Sequence, residues 1–123
     1  MPVRLRPLPA DELALLLGRL EMAGLTGEPD RDDVRAAVKH FLALLAQRWP
    51  GKSVEVRVPP YAAVQCVEGA RHTRGTPPAV VETDAETWLA LARGRTTFAE
   101  AQQAGRVRAS GARSDLTPLL PLT

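Results

Sequence analysis

The sequence predicts an α+β fold: a mainly antiparallel sheet of four or five strands with helices packed on one face. Three observations predict it. Two long amphipathic helical patterns fill most of the first fifty or so positions, and a strict apolar/polar alternation follows at Val54, Val56 and Val58. Further on, the stretch from Ala79 to Gly111 spells a strand, two capped helices and a returning strand without interruption.

Residues 1–10 carry Pro2, Pro7 and Pro9 and read as an extended arm. Asp11 is placed to cap a helix running to about Ala23, with Leu13, Leu16, Leu17 and Leu20 on one face, and Gly24, Gly27 and Pro29 to end it. A second, longer helix starts near Asp30 to Asp33, where acidic side chains suit the positive end of the helix dipole. It turns Val34, Ala37, Val38, Phe41, Leu42, Leu45 and Trp49 inward and stops at Pro50 and Gly51. Two helices joined by a short turn form a hairpin whose apolar face needs a partner, and the sheet supplies it.

Val54, Val56 and Val58 alternate with Ser53, Glu55 and Arg57 in a half-buried strand, which Pro59 and Pro60 separate from a second strand at Tyr61 to Val67. Both faces of that second strand are fairly apolar, as in a central strand or one lining a cavity. Glu68 to Pro78 is a polar loop, and Ala79 to Glu82 returns as a strand. Thr83 stands three residues before Glu86, and Thr97 three before Glu100, so each pair can form a capping box. The first of these short helices carries Ala85, Trp88, Leu89 and Ala92 on one side and ends at Gly94; the second ends at Gly105. Arg106 to Ala109 then alternate polar and apolar as a strand with one wet face, broken by Gly111.

At 123 residues the chain reads as one domain, 1–123, with the arm and helical hairpin over 1–52 and the α+β portion over 53–123. A chain of this size buries roughly two-thirds of its unfolded surface on folding, enough for one real core. The pI of about 9.2 suggests nucleic acid less than it seems to, because the formal net charge is only +2 and acids and bases are intermixed. Arg4 and Arg6 are followed by prolines and acids, and the longest apolar run nearby, Leu13 to Leu17, is too short for a signal peptide or a membrane span of about 20 residues. The single cysteine, Cys66, excludes an internal disulfide and fits a reducing cytoplasm.

The unit from Ala79 onward resembles the C-terminal part of sterol-carrier-protein-like domains, on Thr83, Asp84, Trp88, Leu89 and Gly94, then Phe98, Ala101 and Gly105, then Arg106 to Gly111, then Leu116, Leu119 and Leu120. The whole run from Val54 to Leu120, a little over half of the chain, looks more like a compact actinobacterial branch of sterol carrier family proteins. It is also similar to the carrier-type C-terminal domain of mycothiol-dependent maleylpyruvate isomerases. The resemblance implies an apolar tunnel between sheet and helices, closed by a C-terminal helix. Leu116, Leu119 and Leu120 then sit at its mouth, and Val56, Val58, Val64, Val81 and Trp88 contact the ligand; a dry core uses the same residues. Pro118 makes the last helix short or kinked.

Other candidates are weighed on their own chemistry. Arg71, His72 and Arg74, with Gly69, Gly75 and Thr76, suit a carboxylate, phosphate or thiol conjugate, or form a solvated turn. Cys66 and His72 can lie across a turn as nucleophile and base, although a lone cysteine among Ala62 and Val64 reads as a small core hydrophobe. His40, beside the apolar stripe of the second helix, reads as a surface or boundary residue, and Cys66, His40 and His72 make no zinc motif. Arg93, Arg95, Arg106 and Arg108 form a basic cluster, either a solvated face or a contact for an anionic membrane surface or acidic protein. Leu15 and Leu25 fall off the inward face of the first helix, which leaves monomer and homodimer both open.

Three functions compete. The first is a non-enzymatic carrier of a small hydrophobic ligand, a fatty acyl chain, acyl thioester or isoprenoid, with no cofactor. The second is an accessory module of a thiol-dependent isomerase or transferase, recognising an anion through Arg71, His72 and Arg74. The third is a protein-interaction module without ligand.

Overall fold

The computed structural model describes residues 5–69 and 79–123. Among them the elements run α1 (Ala10–Thr26), α2 (Arg31–Arg48), β1 (Val54–Val58), β2 (Ala62–Cys66), β3 (Ala79–Thr83), α3 (Ala85–Ala92), α4 (Phe98–Gln103) and β4 (Val107–Ser110), with a 3-10 turn at Thr117–Leu119. The fold is α+β. The sheet has the order β2-β1-β3-β4: β1 pairs antiparallel with β2, β3 antiparallel with β4, and the central pair β1 and β3 is parallel.

The alternation in sequence becomes a sheet with one dry and one wet face. Val54, Val56, Val58, Cys66, Ala79, Val81, Thr83 and Val107 are buried under the helices, while Arg57, Ala63, Gln65, Arg108 and Ser110 are exposed on the other side. The wet face is charge-matched: Arg57 pairs with Glu55 at 3.1 Å and lies opposite Glu82, which in turn lies opposite Arg108. Val38, Phe41, Leu42 and Leu45 of α2 cover the dry face together with Trp88, Leu91 and Ala92 of α3. The Trp88 indole N–H donates to the Val38 carbonyl at 3.3 Å, so this large side chain is buried with its one polar atom satisfied.

Several boundaries differ from the sequence expectation, each for a physical reason. Asp11 does not cap α1. The helix starts two residues earlier than that cap implies, at Ala10 behind Pro9, and the Asp11 carboxylate accepts the Glu12 N–H inside the first turn. α1 also runs on past Gly24 to Thr26, because an interior glycine costs a helix only about 1 kcal/mol. For α3 the cap is Asp84, accepting from the Thr87 N–H at 2.8 Å, and Thr83 stays in β3, its hydroxyl donating to the Arg106 carbonyl. Thr97 caps α4 as expected, but the Glu100 carboxylate accepts from the Thr97 hydroxyl at 3.0 Å instead of reaching back to a backbone N–H. β2 is an edge strand rather than a central one, and Tyr61 belongs to the turn before it, donating its N–H to Val58. In place of a C-terminal α-helix there is one 3-10 turn around Pro118, after which Leu122 is buried and donates its N–H to the Ala92 carbonyl at the end of α3.

Gly51 shows how tightly the α2–β1 corner is built. Its φ of 150° lies outside the range side chains prefer, and a Cβ there would collide with the Val67 carbonyl and the Glu68 nitrogen. Val67 is itself held at φ 64°, costly for a β-branched residue, by its N–H to Trp49 and by two donors from Ser53 to its carbonyl. Gly51→Ala is therefore expected to lose about 2 kcal/mol or more. Gly24→Ala, in a helix interior with no atom within 4 Å of the new methyl, gains about 0.5–1 kcal/mol. Urea unfolding of the two variants against the parent checks both signs.

Candidate functional site

A large cleft bounded by described residues runs beside the edge strand. Its volume is about 1050 Å³. Small-molecule sites span roughly 300–1,000 Å³, so the space suffices for a ligand. Three pieces of chain build it. Ala43, Ala46 and Gln47 project from the C-terminal half of α2, Ala63, Val64 and Gln65 come from β2, and Leu5, Arg6 and Pro7 from the arm, with Pro50, Gly51 and Lys52 closing the corner. The small side chains at positions 43 and 46 are what leave room here. Leu45, one residue away, points into the core and is fully buried.

The arm is fastened by His40. This residue is not a surface or boundary position: it is 3% exposed, and its Nδ1 accepts the Leu8 N–H at 2.8 Å. An accepting Nδ1 puts the proton of the neutral ring on Nε2, which has no partner among the described residues. The ring stacks edge-on against Phe41 with centroids 4.9 Å apart. Burial holds the imidazole below its ordinary pKa, and the positive charge of Arg48 adds to this. One hydrogen bond to a neutral histidine thus ties a wall of the cleft to α2.

The eight apolar residues the resemblance assigned to a ligand divide between core and surface. Val56, Val58, Val81, Trp88 and Leu116 lie fully in the packed core, and Leu119 and Leu120 are half-buried against it. Val64 alone of the eight lines this cleft. Arg71, His72 and Arg74 lie outside the described residues. Cys66 is buried, and burial pushes its thiol up to about 11, so at neutral pH it is protonated.

The basic cluster is divided as well. Arg93 and Arg95 both reach Glu21 of α1, at 2.8 and 2.6 Å, and their hydrogen bonds hold its carboxyl below the ordinary value. Arg106 and Arg108 instead border a small polar hollow of about 230 Å³ with Glu82 and Asp84. Among the described residues no group of three His, Cys, Asp or Glu side chains could hold a metal, and no helix is long and apolar enough to cross a membrane.

Leu5, Arg6, Pro7, Ala43, Ala46 and Lys52 were not singled out from sequence. Ala43 and Ala46, three apart on the flank of an otherwise bulky helical stripe, were the available signal; the arm's return over them was not foreseeable.

The latch has a definite pH dependence. An unfolded histidine titrates near 6.5 and the folded ring below it, so the unfolded chain binds the extra proton first. The contribution is complete above about 6.5 and is lost as pH falls toward the lower folded value, where a protonated Nδ1 can no longer accept the Leu8 N–H. Hydrogen-exchange protection of the Leu8 amide is expected to drop between pH 7 and 5, and in His40→Phe to be low at both.

A family model described as a bacterial SCP ortholog matches residues 30–122. The match starts at Asp30, the cap of α2, and so reaches further toward the N-terminus than the resemblance read from Val54 onward. No curated protein matches the chain significantly. Over most of its length, from α2 to the buried Leu122, this chain belongs to the bacterial SCP ortholog family, a sterol-carrier-protein-like family.

Proposed function

We propose that the chain is a non-enzymatic binding protein for a small hydrophobic ligand, held in the cleft between α2, β2 and the arm. The observation that carries this reading is the cleft itself, with Leu5, Pro7, Ala43, Ala46, Ala63 and Val64 supplying its apolar lining. Membership of a sterol-carrier-like family supports it. Each methylene removed from water contributes about 0.8 kcal/mol, so an acyl chain of eight or more carbons gains several kcal/mol even partly covered. The mechanism is binding and release, with the arm as the wall that moves least expensively, since few groups fasten it. The protonated, buried Cys66 supports a role without covalent chemistry. Its burial also suits a chain working in the reducing cytoplasm.

Ala46→Trp tests the site, because an indole there fills the cleft from a half-exposed position without entering the core. Affinity for a fluorescent acyl probe is expected to fall about tenfold or more, with the thermal midpoint within a few degrees of the parent. Unchanged affinity would remove the cleft as the site.

A second reading is favoured by a specific observation on α1. Leu15, Met22 and Leu25 are 68%, 64% and 81% exposed, and with Gly18 they are spaced 3-4-3 along one stripe, the pattern of a helix-pairing seam. Two copies meeting along this stripe form a homodimer. Light scattering over a hundredfold concentration range is expected to show mass rising toward the dimer, and Leu25→Glu to abolish the rise; a constant monomer mass sinks this reading.

A further inference from the structure

We propose that a second, polar site takes a small zwitterion, a molecule of simple amino-acid size with one ammonium and one carboxylate group. The space is the hollow of about 230 Å³ where β1 and β3 reach their C-terminal ends and β4 begins. It shares no residue with the cleft, which lies toward the other end of β1. Its volume equals roughly seven or eight waters at about 30 Å³ each, too little for a drug-sized ligand and enough for a small one.

Two rows of opposite charge border this hollow. Glu82 and Asp84 stand two apart on β3 and its extended continuation, and Arg106 and Arg108 two apart at the start of β4. Glu82 lies opposite Arg108 in the ladder and Thr83 opposite Val107, so Asp84 and Arg106 make the next rung on the same side. Thr83 and Val107 are buried, which leaves the four charged residues to the wet face. Opposite charges on facing strands normally meet, yet neither rung closes into an ion pair among the described residues. Arg57, the other cation opposite Glu82, gives its guanidinium to Glu55. Asp84 is fixed as the cap of α3, accepting the Thr87 N–H and hydroxyl. Gly105, at φ 76° behind α4, puts no side chain into the space.

Ligand charge then decides what fits. A lone carboxylate pairs with the arginine forks but faces Glu82 and Asp84 as like charges, and a lone ammonium meets the reverse. A zwitterion satisfies both rows at once, its ammonium toward β3 and its carboxylate toward β4. Glu82 is half-buried and the other three residues are exposed, so each contact is weak and screened by salt. An exposed pair is worth roughly 1.5-fold to fivefold in affinity, and the second end of a zwitterion adds about fivefold over a singly charged analogue. The test compares alanine with propanoate, which lacks the ammonium, and with ethylammonium, which lacks the carboxylate. Each is titrated at neutral pH and constant ionic strength into the parent, Arg106→Gln/Arg108→Gln and Glu82→Gln, with amide shifts as the readout.

The expected result is alanine bound by the parent about fivefold more tightly than either analogue, with shifts centred on Thr83, Gly105 and Arg106. In Arg106→Gln/Arg108→Gln its affinity falls to that of ethylammonium, and in Glu82→Gln it falls toward that of propanoate. Equal binding of alanine and either analogue by the parent, or an advantage that survives the arginine substitutions, overturns the zwitterion. Failure of all three to bind, or shifts confined to another surface, overturns the site. The titrations of the parent decide the matter even if a variant folds poorly, and no outcome bears on the cleft.

Discussion

The fold depends on a sheet that is dry on one face only. In β1 and β3 every second residue is a buried Val, Ala or Thr, and the residues between them are polar or half-exposed. Such a sheet is unstable until its dry face is covered. Helix α2 lies along it with Val38, Phe41, Leu42 and Leu45, and α3 sets Trp88 beside them. The indole hydrogen bond to the Val38 carbonyl ties the two covering helices to one another, so they form one lid. The buried aromatic at this junction stabilises the lid by several kcal/mol.

Filling the dry face has a consequence for ligand space. Where the resemblance implies a tunnel, side chains of Val56, Val58, Val81 and Trp88 meet those of α2 directly. Room appears instead where α2 overhangs the edge strand, because Ala43 and Ala46 replace bulk at the flank of the same helix that closes the core with Phe41 and Leu45. One helix therefore seals the interior with one stripe and opens a cleft with the neighbouring one. The edge position of β2 contributes the other side, with unpaired backbone and the short side chains of Ala63 and Val64.

Much of this was legible in the sequence. Period-two alternation at residues 54–58, proline pairs and glycines at element ends, and the hydroxyl or acid caps marked the strands and helices, since these are local preferences that tertiary packing did not override. Where the reading failed, the deciding interaction was long-range. The Thr83 hydroxyl was drawn to the Arg106 carbonyl, 23 residues away, which left the cap to Asp84. An apolar β2 reads as a central strand or one lining a cavity, and only the strand order makes it an edge strand, with Val64 lining the cleft. His40 looked like a boundary residue because its partner, the Leu8 amide, lies 32 residues earlier in a segment with no periodic signal. The cleft shares this origin: its walls come from three separated segments, and no window of sequence contains them together.

The N-terminal arm and α1 precede the matched family region, and the arm forms part of the cleft. The core from residue 30 onward supplies the α2, corner and edge-strand walls, and the arm adds Leu5, Arg6 and Pro7 on the remaining side. Two kinds of interaction hold this addition. Glu21 binds α1 to the α3–α4 turn through Arg93 and Arg95, exposed ion pairs that salt weakens. His40 holds the arm through one buried hydrogen bond, which salt does not screen but a proton abolishes. The Nε2, without a partner among the described residues, offsets part of what that bond contributes, since the ring gives up solvation on one nitrogen to accept on the other. Helix and arm can thus loosen separately, and the cleft wall formed by the arm is governed by the protonation of a residue that does not line the cleft.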